Sequence, residues 1–216
     1  MHYIHKYILD RIIHAKQLRN RDLRPPRVES NLFQYHLKQL IKDGFIQKTP
    51  QGLYELAKGG VFWSDRFSGE LQEMRPQSKV ITLLCIRDSL GKFLLLEKLR
   101  QPFIETFHFP AGKIHLGESW DDAAKREYRE KISVYIPSLD LHSTVHVTIS
   151  SDTLLLQDYI AVIYLAELAD TAAHIPCKWV DKNEFQNANL MPGVPELIEH
   201  VTNSTHTTAE IRVTVP

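Results

Sequence analysis

Residues 112–134 read GKIHLGESWDDAAKREYREKISV, and the fold of the larger part of the chain turns on how they are read. The stretch follows Phe107-His108-Phe109, turns at Pro110-Ala111-Gly112 and enters a helix near Ser119, whose hydroxyl can accept from the free N–H groups of the first turn. Asp121 and Asp122 then occupy that first turn, where the helix dipole favours negative charge. Glu127, Glu130 and Lys131 stand at i, i+3 and i+4 and project from one face. Ala124, Tyr128 and Ile132 make a neighbouring apolar stripe for packing. Carboxylates gathered on a packed helix suit a hard cation such as Mg²⁺, which takes one or two carboxylates, several waters and substrate phosphates. The ammonium of Lys131 works against that.

The spacing carries further information. Gly112, Glu118, Arg126, Glu127, Tyr128, Glu130 and Val134 fall on the pattern G, five residues, E, seven residues, R-E-U-x-E-E-x-G-U, with U apolar. On these residues the chain resembles the Nudix hydrolase family. Two positions depart: Lys131 replaces the second glutamate of the E-E pair, and Ser133 replaces the glycine. The resemblance implies an α/β/α sandwich and hydrolysis of a nucleoside diphosphate linked to another group. It further implies Mg²⁺ held by Glu127, Glu130 and Glu118, and catalytic roles for Glu127, Glu130 and Arg126; Gly112, Lys113 and Lys131 are the expected substrate contacts. The glutamate missing at Lys131 is a principal metal ligand of that family, so Mg²⁺ binding is weakened. Lys131 also offers Glu127 an i,i+4 partner worth about 0.2–0.5 kcal/mol, and the pair can fill the metal's space. Alternatively the lysine contacts the diphosphate. A plain solvated helix face is the ordinary reading of such a charge run. The fixed spacing and the strand pattern on either side argue against it.

Val80 to Ile86 reads as a buried strand, Asp88 to Lys92 as a turn, and Phe93 to Leu96 as its hairpin partner. Val145, Val147 and Ile149 alternate within Ser143–Ser150; Tyr159–Leu165, a short segment at Lys178-Trp179-Val180 and a closing helix over Pro195–Val201 follow. The expected Nudix-type domain spans 78–202. Residues 203–216 are expected to form a mobile tail, with Ile211, Val213 and Val215 able to add an edge strand to a neighbour.

The N-terminal part differs in charge. Residues 1–66 hold twelve Lys or Arg against six Asp or Glu, whereas residues 67–216 hold fourteen against twenty. Zero net charge thus conceals a basic module joined to an acidic one, and a basic module points to nucleic acid. Ile4, Ile8, Leu9 and Ile12 form one helical stripe. A second helix over about Asn31–Asp43 is predicted to bury Phe33, Leu37, Leu40 and Ile41, capped by Ser30 and ended by Gly44. Phe45–Lys48 and Leu53–Leu56 flank a turn at Thr49–Gly52. Helices followed by a basic-tipped hairpin resemble a winged helix-turn-helix domain, here 1–66, with 67–77 as linker. That resemblance implies DNA contacts from Asn31, Gln34, Tyr35 and Lys38 on the second helix and Lys48 in the wing, with Arg19, Arg21, Arg24 and Arg27 of the preceding loop on phosphates. A protein-contact module is the alternative for such a fold. Phe62, Trp63 and Phe67 are expected to pack the wing against the second domain.

Two cysteines, Cys85 and Cys177, give neither a disulfide framework nor metal spacing and fit a reducing cytoplasm. No apolar run approaches a membrane span, and the start reads as a helix, not a signal peptide. His108 and His115 flank the expected pocket. The expectation is an α+β chain and a cytoplasmic regulator, extending to a homodimer, whose Nudix domain senses a nucleoside diphosphate derivative. A Mg²⁺-dependent Nudix hydrolase is the alternative.

Overall fold

The computed structural model describes residues 1–64, 67–68, 73–74, 76–132, 138–168, 176–185, 187–203 and 207–216. Its contacts divide the chain into two compact units, Met1–Gln77 and Ser78–Pro216. Ser133 and Val134 of the motif lie outside the described residues, as do the side chains of Phe62 and Phe67.

The first unit runs α1 (Tyr3–Ile13), α2 (Asn20–Leu23), α3 (Ser30–Lys42), β1 (Ile46–Lys48), β2 (Tyr54–Leu56), α4 (Lys58–Ser64), β3 (Phe67–Ser68) and β4 (Glu73–Met74). The helical stripes meet in one core: Ile4, Ile8, Leu9 and Ile12 of α1 pack with Leu23, Phe33, Leu37, Leu40, Ile46 and Trp63. Trp63 therefore fills this unit's own core. β1 and β2 pair antiparallel, and Leu18 exchanges backbone hydrogen bonds with Tyr54 at 2.8 and 2.9 Å, adding a third extended segment. Gly44 ends α3 at φ +74°, a conformation glycine takes without a Cβ penalty.

Three sequence expectations are corrected in this unit. Ser30 is the first helical residue and Glu29 the cap, without a side-chain cap bond. Ile41 is exposed, because Leu37 and Leu40 already turn the inner face of α3 to the core. The arginine-rich stretch is not all loop: Arg21 lies within α2, and the guanidinium of Arg24 donates twice to the Val28 carbonyl, at 2.6 and 2.8 Å.

The second unit runs β5 (Lys79–Arg87), β6 (Phe93–Glu97), β7 (Phe107–His108), β8 (Ala111–Lys113), α5 (Trp120–Lys131), β9 (Asp140–Ser150), β10 (Leu155–Glu167), β11 (Cys177–Val180), a short 3₁₀ turn, α6 (Val194–Asn203) and β12 (Thr208–Thr214). One mixed sheet has the order β11-β6-β5-β10-β9-β12, with β7 on β6 and β8 on β5. β5 runs parallel to β10 and β9 parallel to β12. Period-two alternation then separates two cores. Leu83, Cys85, Leu95, Ala161 and Ile163 meet Leu197 and Ile198 of α6, while Leu84, Ile86, Leu94, Val162 and Tyr164 meet Ala124 and Tyr128 of α5. Both faces of the central strands are covered, which is why they read as continuous apolar runs.

The expected tail is instead part of this sheet. β12 pairs with β9 from Thr208↔Thr144 to Thr214↔Ser150, and Ala209, Ile211, Val213 and Val215 pack on the α6-side core. The apolar alternation anticipated for a neighbour is satisfied within the same chain. The fold is a mixed α+β arrangement in which a large sheet carries α5 on one face and α6 on the other. Among the described residues no helix is long and apolar enough to cross a membrane.

Candidate functional site

The site is assembled where β8 delivers Gly112 beneath the C-terminal half of α5. Ser119 caps that helix, its hydroxyl accepting from Asp122 N at 3.1 Å, with Asp121 and Asp122 in the first turn. Tyr164 of β10 donates its hydroxyl to the Asp121 carboxylate and ties the helix start to the sheet. Ala123, Ala124, Tyr128 and Ile132 are buried, and Arg126, Glu127 and Lys131 reach back to the segment before the helix. Gly112 pairs with Thr82 across β5–β8, and a Cβ there would stand 1.7 Å from Glu127 Oε1. Only a glycine lets the Glu127 carboxylate lie against the strand.

Glu127 is 4 % exposed, and both its oxygens are occupied. Arg126 Nη1 donates to Oε1 at 2.5 Å, and Lys131 Nζ reaches Oε2 at 2.8 Å. The same ammonium donates to the Ala111 carbonyl oxygen. Arg126 also forks onto Glu118, with Nε to Oε1 at 2.8 Å and Nη2 to Oε2 at 2.9 Å, and donates to the Lys113 carbonyl at 3.0 Å. Glu118 accepts a further bond from His115 N at 2.9 Å. These hydrogen bonds, the Arg126 fork first, hold the Glu118 carboxyl down at about 2. Glu130 is largely exposed, 3.7 Å from Arg126 Nη1.

The motif residues are therefore together, with their roles redistributed. Arg126 is spent on Glu118, Glu127 and Lys113 O instead of being turned to a ligand. Lys113 contributes its carbonyl to that network. The carboxylates expected to hold Mg²⁺ fit it poorly as placed: Glu118 and Glu127 are bonded to Arg126 and Lys131, Lys131 delivers its own positive charge between a carboxylate and a carbonyl, and of the three only Glu130 stands exposed. Among the described residues no group of three or more His, Cys, Asp or Glu side chains is placed to hold a metal ion.

A cavity of about 110 Å³ opens on the α6 side of the sheet, with Ala111 as one wall. Its floor is apolar, from Ile81, Leu83, Phe109, Tyr159 and Met191, and its polar lining comes from Lys79, Lys98, His108 and Gln157. Burial pushes His108 down to about 4, and the charges of Lys98 and Lys131 both act in that direction, so the ring is neutral at pH 7. His115, by contrast, is exposed; its backbone N–H donates to Glu118 and its ring stands 4.0 Å from the same carboxylate. Sequence reasoning missed Lys79, Lys98 and Gln157, since they come from β5, the segment just after β6 and β10, and no local spacing relates them.

On the first unit, Asn31, Tyr35, Lys38 and Lys48 are exposed. Gln34 departs from its expected role. Its amide donates to Asn20 Oδ1 at 3.0 Å and is half-buried against α2. Lys48 Nζ stands 5.9 Å from the centre of the Tyr54 ring.

Known proteins resemble part of this chain. An uncharacterized Nudix hydrolase of Bacillus subtilis, YvcI, is 27% identical over 120 residues, spanning 53% of this chain and 74% of its own length. The 8-oxo-dGTP diphosphatase of Haemophilus influenzae is 25% identical over 122 residues, 56% of this chain and 89% of its own. The crystal structure of a MutT protein from Bacillus halodurans superposes with a TM-score of 0.50 at 20% identity, covering 63% of this chain and 90% of that one, which supports the fold alone. The family model described as NUDIX domain matches residues 77–201, more than half of the chain, and on that match the chain belongs to the Nudix family.

Proposed function

We propose that this chain is a DNA-binding regulator whose Nudix unit senses a nucleoside diphosphate derivative and hydrolyses it inefficiently or not at all. The observation that carries the reading is Lys131: its ammonium sits on Glu127 and the Ala111 carbonyl, where the family pattern has a carboxylate. Losing that carboxylate removes metal-assisted activation of water, whereas binding of an anionic ligand survives or gains from the extra cation. The first unit supplies the output. Its basic excess, the exposed Asn31, Tyr35 and Lys38 on α3, Lys48 on the hairpin and the Leu18–Tyr54 bridge beside it all support the winged helix-turn-helix reading. Ligand and DNA influence one another only if the ligand binds one state of the regulator better, and the coupling is then reciprocal. Two half-sites on an operator would call for a homodimer. The two free cysteines fit action in the cytoplasm.

The test is Mg²⁺-dependent turnover of a panel of nucleoside diphosphate compounds by the native chain, Glu127→Gln and Lys131→Glu. The expected result is no turnover by the native chain, a gain with Lys131→Glu, and a ligand-dependent change in the affinity of the native chain for its DNA. A hydrolase is the second reading, favoured by the otherwise intact Gly112, Glu118, Arg126, Glu127 and Glu130 and by similarity to an 8-oxo-dGTP diphosphatase. Native turnover abolished by Glu127→Gln would establish it and remove the sensor.

A further inference from the structure

The carboxylates of α5 and the lysines of the cavity divide the site in a way the family pattern does not require. Every lining residue of the cavity with a formal charge at neutral pH is a lysine: Lys79 on β5 and Lys98 just beyond β6. The carboxylates that would attract a divalent cation lie on the other side of the Ala111 wall, bonded to Arg126 and Lys131. Lys131 stands behind that wall, since it donates to the Ala111 carbonyl, and both it and Lys98 are close enough to His108 to disfavour its protonation. Lys98 and Lys131 thus bring positive charge to His108, and Lys79 lines the same cavity.

We propose that this cavity takes the anionic part of its ligand on Lys79 and Lys98, backed by Lys131, with no divalent cation between ligand and protein. The inference rests on the sensor reading and specifies how its ligand is held. Size supports a split arrangement. At about 110 Å³ the cavity is well below the roughly 300–1,000 Å³ that encloses a drug-sized molecule, so it takes one end of a nucleotide and leaves the remainder at the rim. Ile81, Leu83, Phe109 and Met191 offer an apolar seat for a flat ring, with Gln157 as hydrogen-bonding group, and the lysines sit with them as point charges for phosphate. Burial and the charge of Lys79 both lower the pKa of Lys98. A bound anion relieves the mutual repulsion of the two ammonium groups, a gain that a neutral ligand lacks.

Titration calorimetry of the full chain with ADP, in EDTA and then in excess Mg²⁺, tests this directly. The expected result is binding in EDTA that excess Mg²⁺ does not strengthen and, by competing for the same phosphate oxygens, weakens. Lys98→Gln should weaken ADP by about tenfold, the loss of roughly one charged hydrogen bond, and should weaken inorganic pyrophosphate similarly because the lysine reads the anion. Lys79→Gln should weaken both by less, its side chain being more exposed. Thermal melts of each variant establish that the fold is kept. Binding of ADP that requires Mg²⁺, or full affinity in Lys98→Gln, overturns the lysine site while leaving the sensor reading in place. Absence of ADP and pyrophosphate binding in both conditions overturns the lysine site as well. Efficient metal-dependent turnover overturns the sensor reading by a separate readout.

Discussion

Two helices of nearly equal length make opposite use of their outer faces. α3, with 13 residues, and α5, with 12, each bury an apolar stripe: Phe33, Leu37 and Leu40 in one, Ala124 and Tyr128 in the other. On α3 the outward side chains Asn31, Tyr35 and Lys38 remain exposed. On α5, Arg126, Glu127 and Lys131 are bonded to one another, to Glu118 and to the carbonyls of Ala111 and Lys113. A polar face already satisfied within the fold has little left to give an external cation, whereas an unsatisfied one is available to a partner. Both helices read as amphipathic in sequence, α5 the more heavily charged, and the pattern alone does not say which polar face is satisfied. The geometry of what lies opposite them does.

Removing the centre of the satisfied network should produce the largest effect. Glu127→Ala leaves the cations of Arg126 and Lys131 facing a buried position without their shared carboxylate, and the expected cost is about 3 kcal/mol in urea unfolding, as for a broken buried ion pair. Stability within about 0.5 kcal/mol of native would mean that the network is surface decoration and that the contrast with α3 is false. Gly112→Ala should come next. The new methyl group would lie 1.7 to 2.1 Å from the carboxylate atoms of Glu127, which its two cations hold in place, so overpacking of about 1–3 kcal/mol is expected. The double variant Gly112→Ala/Glu127→Ala should cost less than the sum of the two, because removing the carboxylate makes room for the methyl group. Such neighbours couple, and a sum obeyed within error would place the strain elsewhere.

The comparison also shows what the residues could and could not say in advance. α5 and its flanking strands were legible because they rest on local periodicity: the i, i+3, i+4 spacing of Glu127, Glu130 and Lys131, and the apolar run Val80–Ile86. Long-range pairing was not. Lys131 meets a carbonyl twenty positions earlier because β8 is laid on β5, and nothing near Lys131 announces that contact. Lys79 and Lys98 come together only after β5 and β6 join one sheet. Ile211, Val213 and Val215 alternate as any edge strand does, and alternation names a face without naming the partner, which here is β9 of the same sheet. Gln34 shows the same limit on α3, where its helical position faces outward but Asn20 of α2 arrives to bind it.

The smallest expected effect on stability belongs to the open face. Lys38 is exposed, and among the described residues it has no hydrogen bond or ion pair, so Lys38→Ala should change unfolding free energy by less than about 0.5 kcal/mol. If α3 meets DNA, the same substitution has a signature that a structural role cannot imitate. Each phosphate neutralised by a lysine releases counterions, so the slope of log affinity against log salt should fall in magnitude by about 0.9 when Lys38 is removed. Asn31→Ala should instead leave that slope unchanged and reduce discrimination between DNA sequences, because an amide reads base edges and carries no charge. Equal slopes for native and Lys38→Ala would leave α3 as an open face with some other partner. The unsatisfied polar helix and the satisfied one would then differ in packing without differing in the function proposed here.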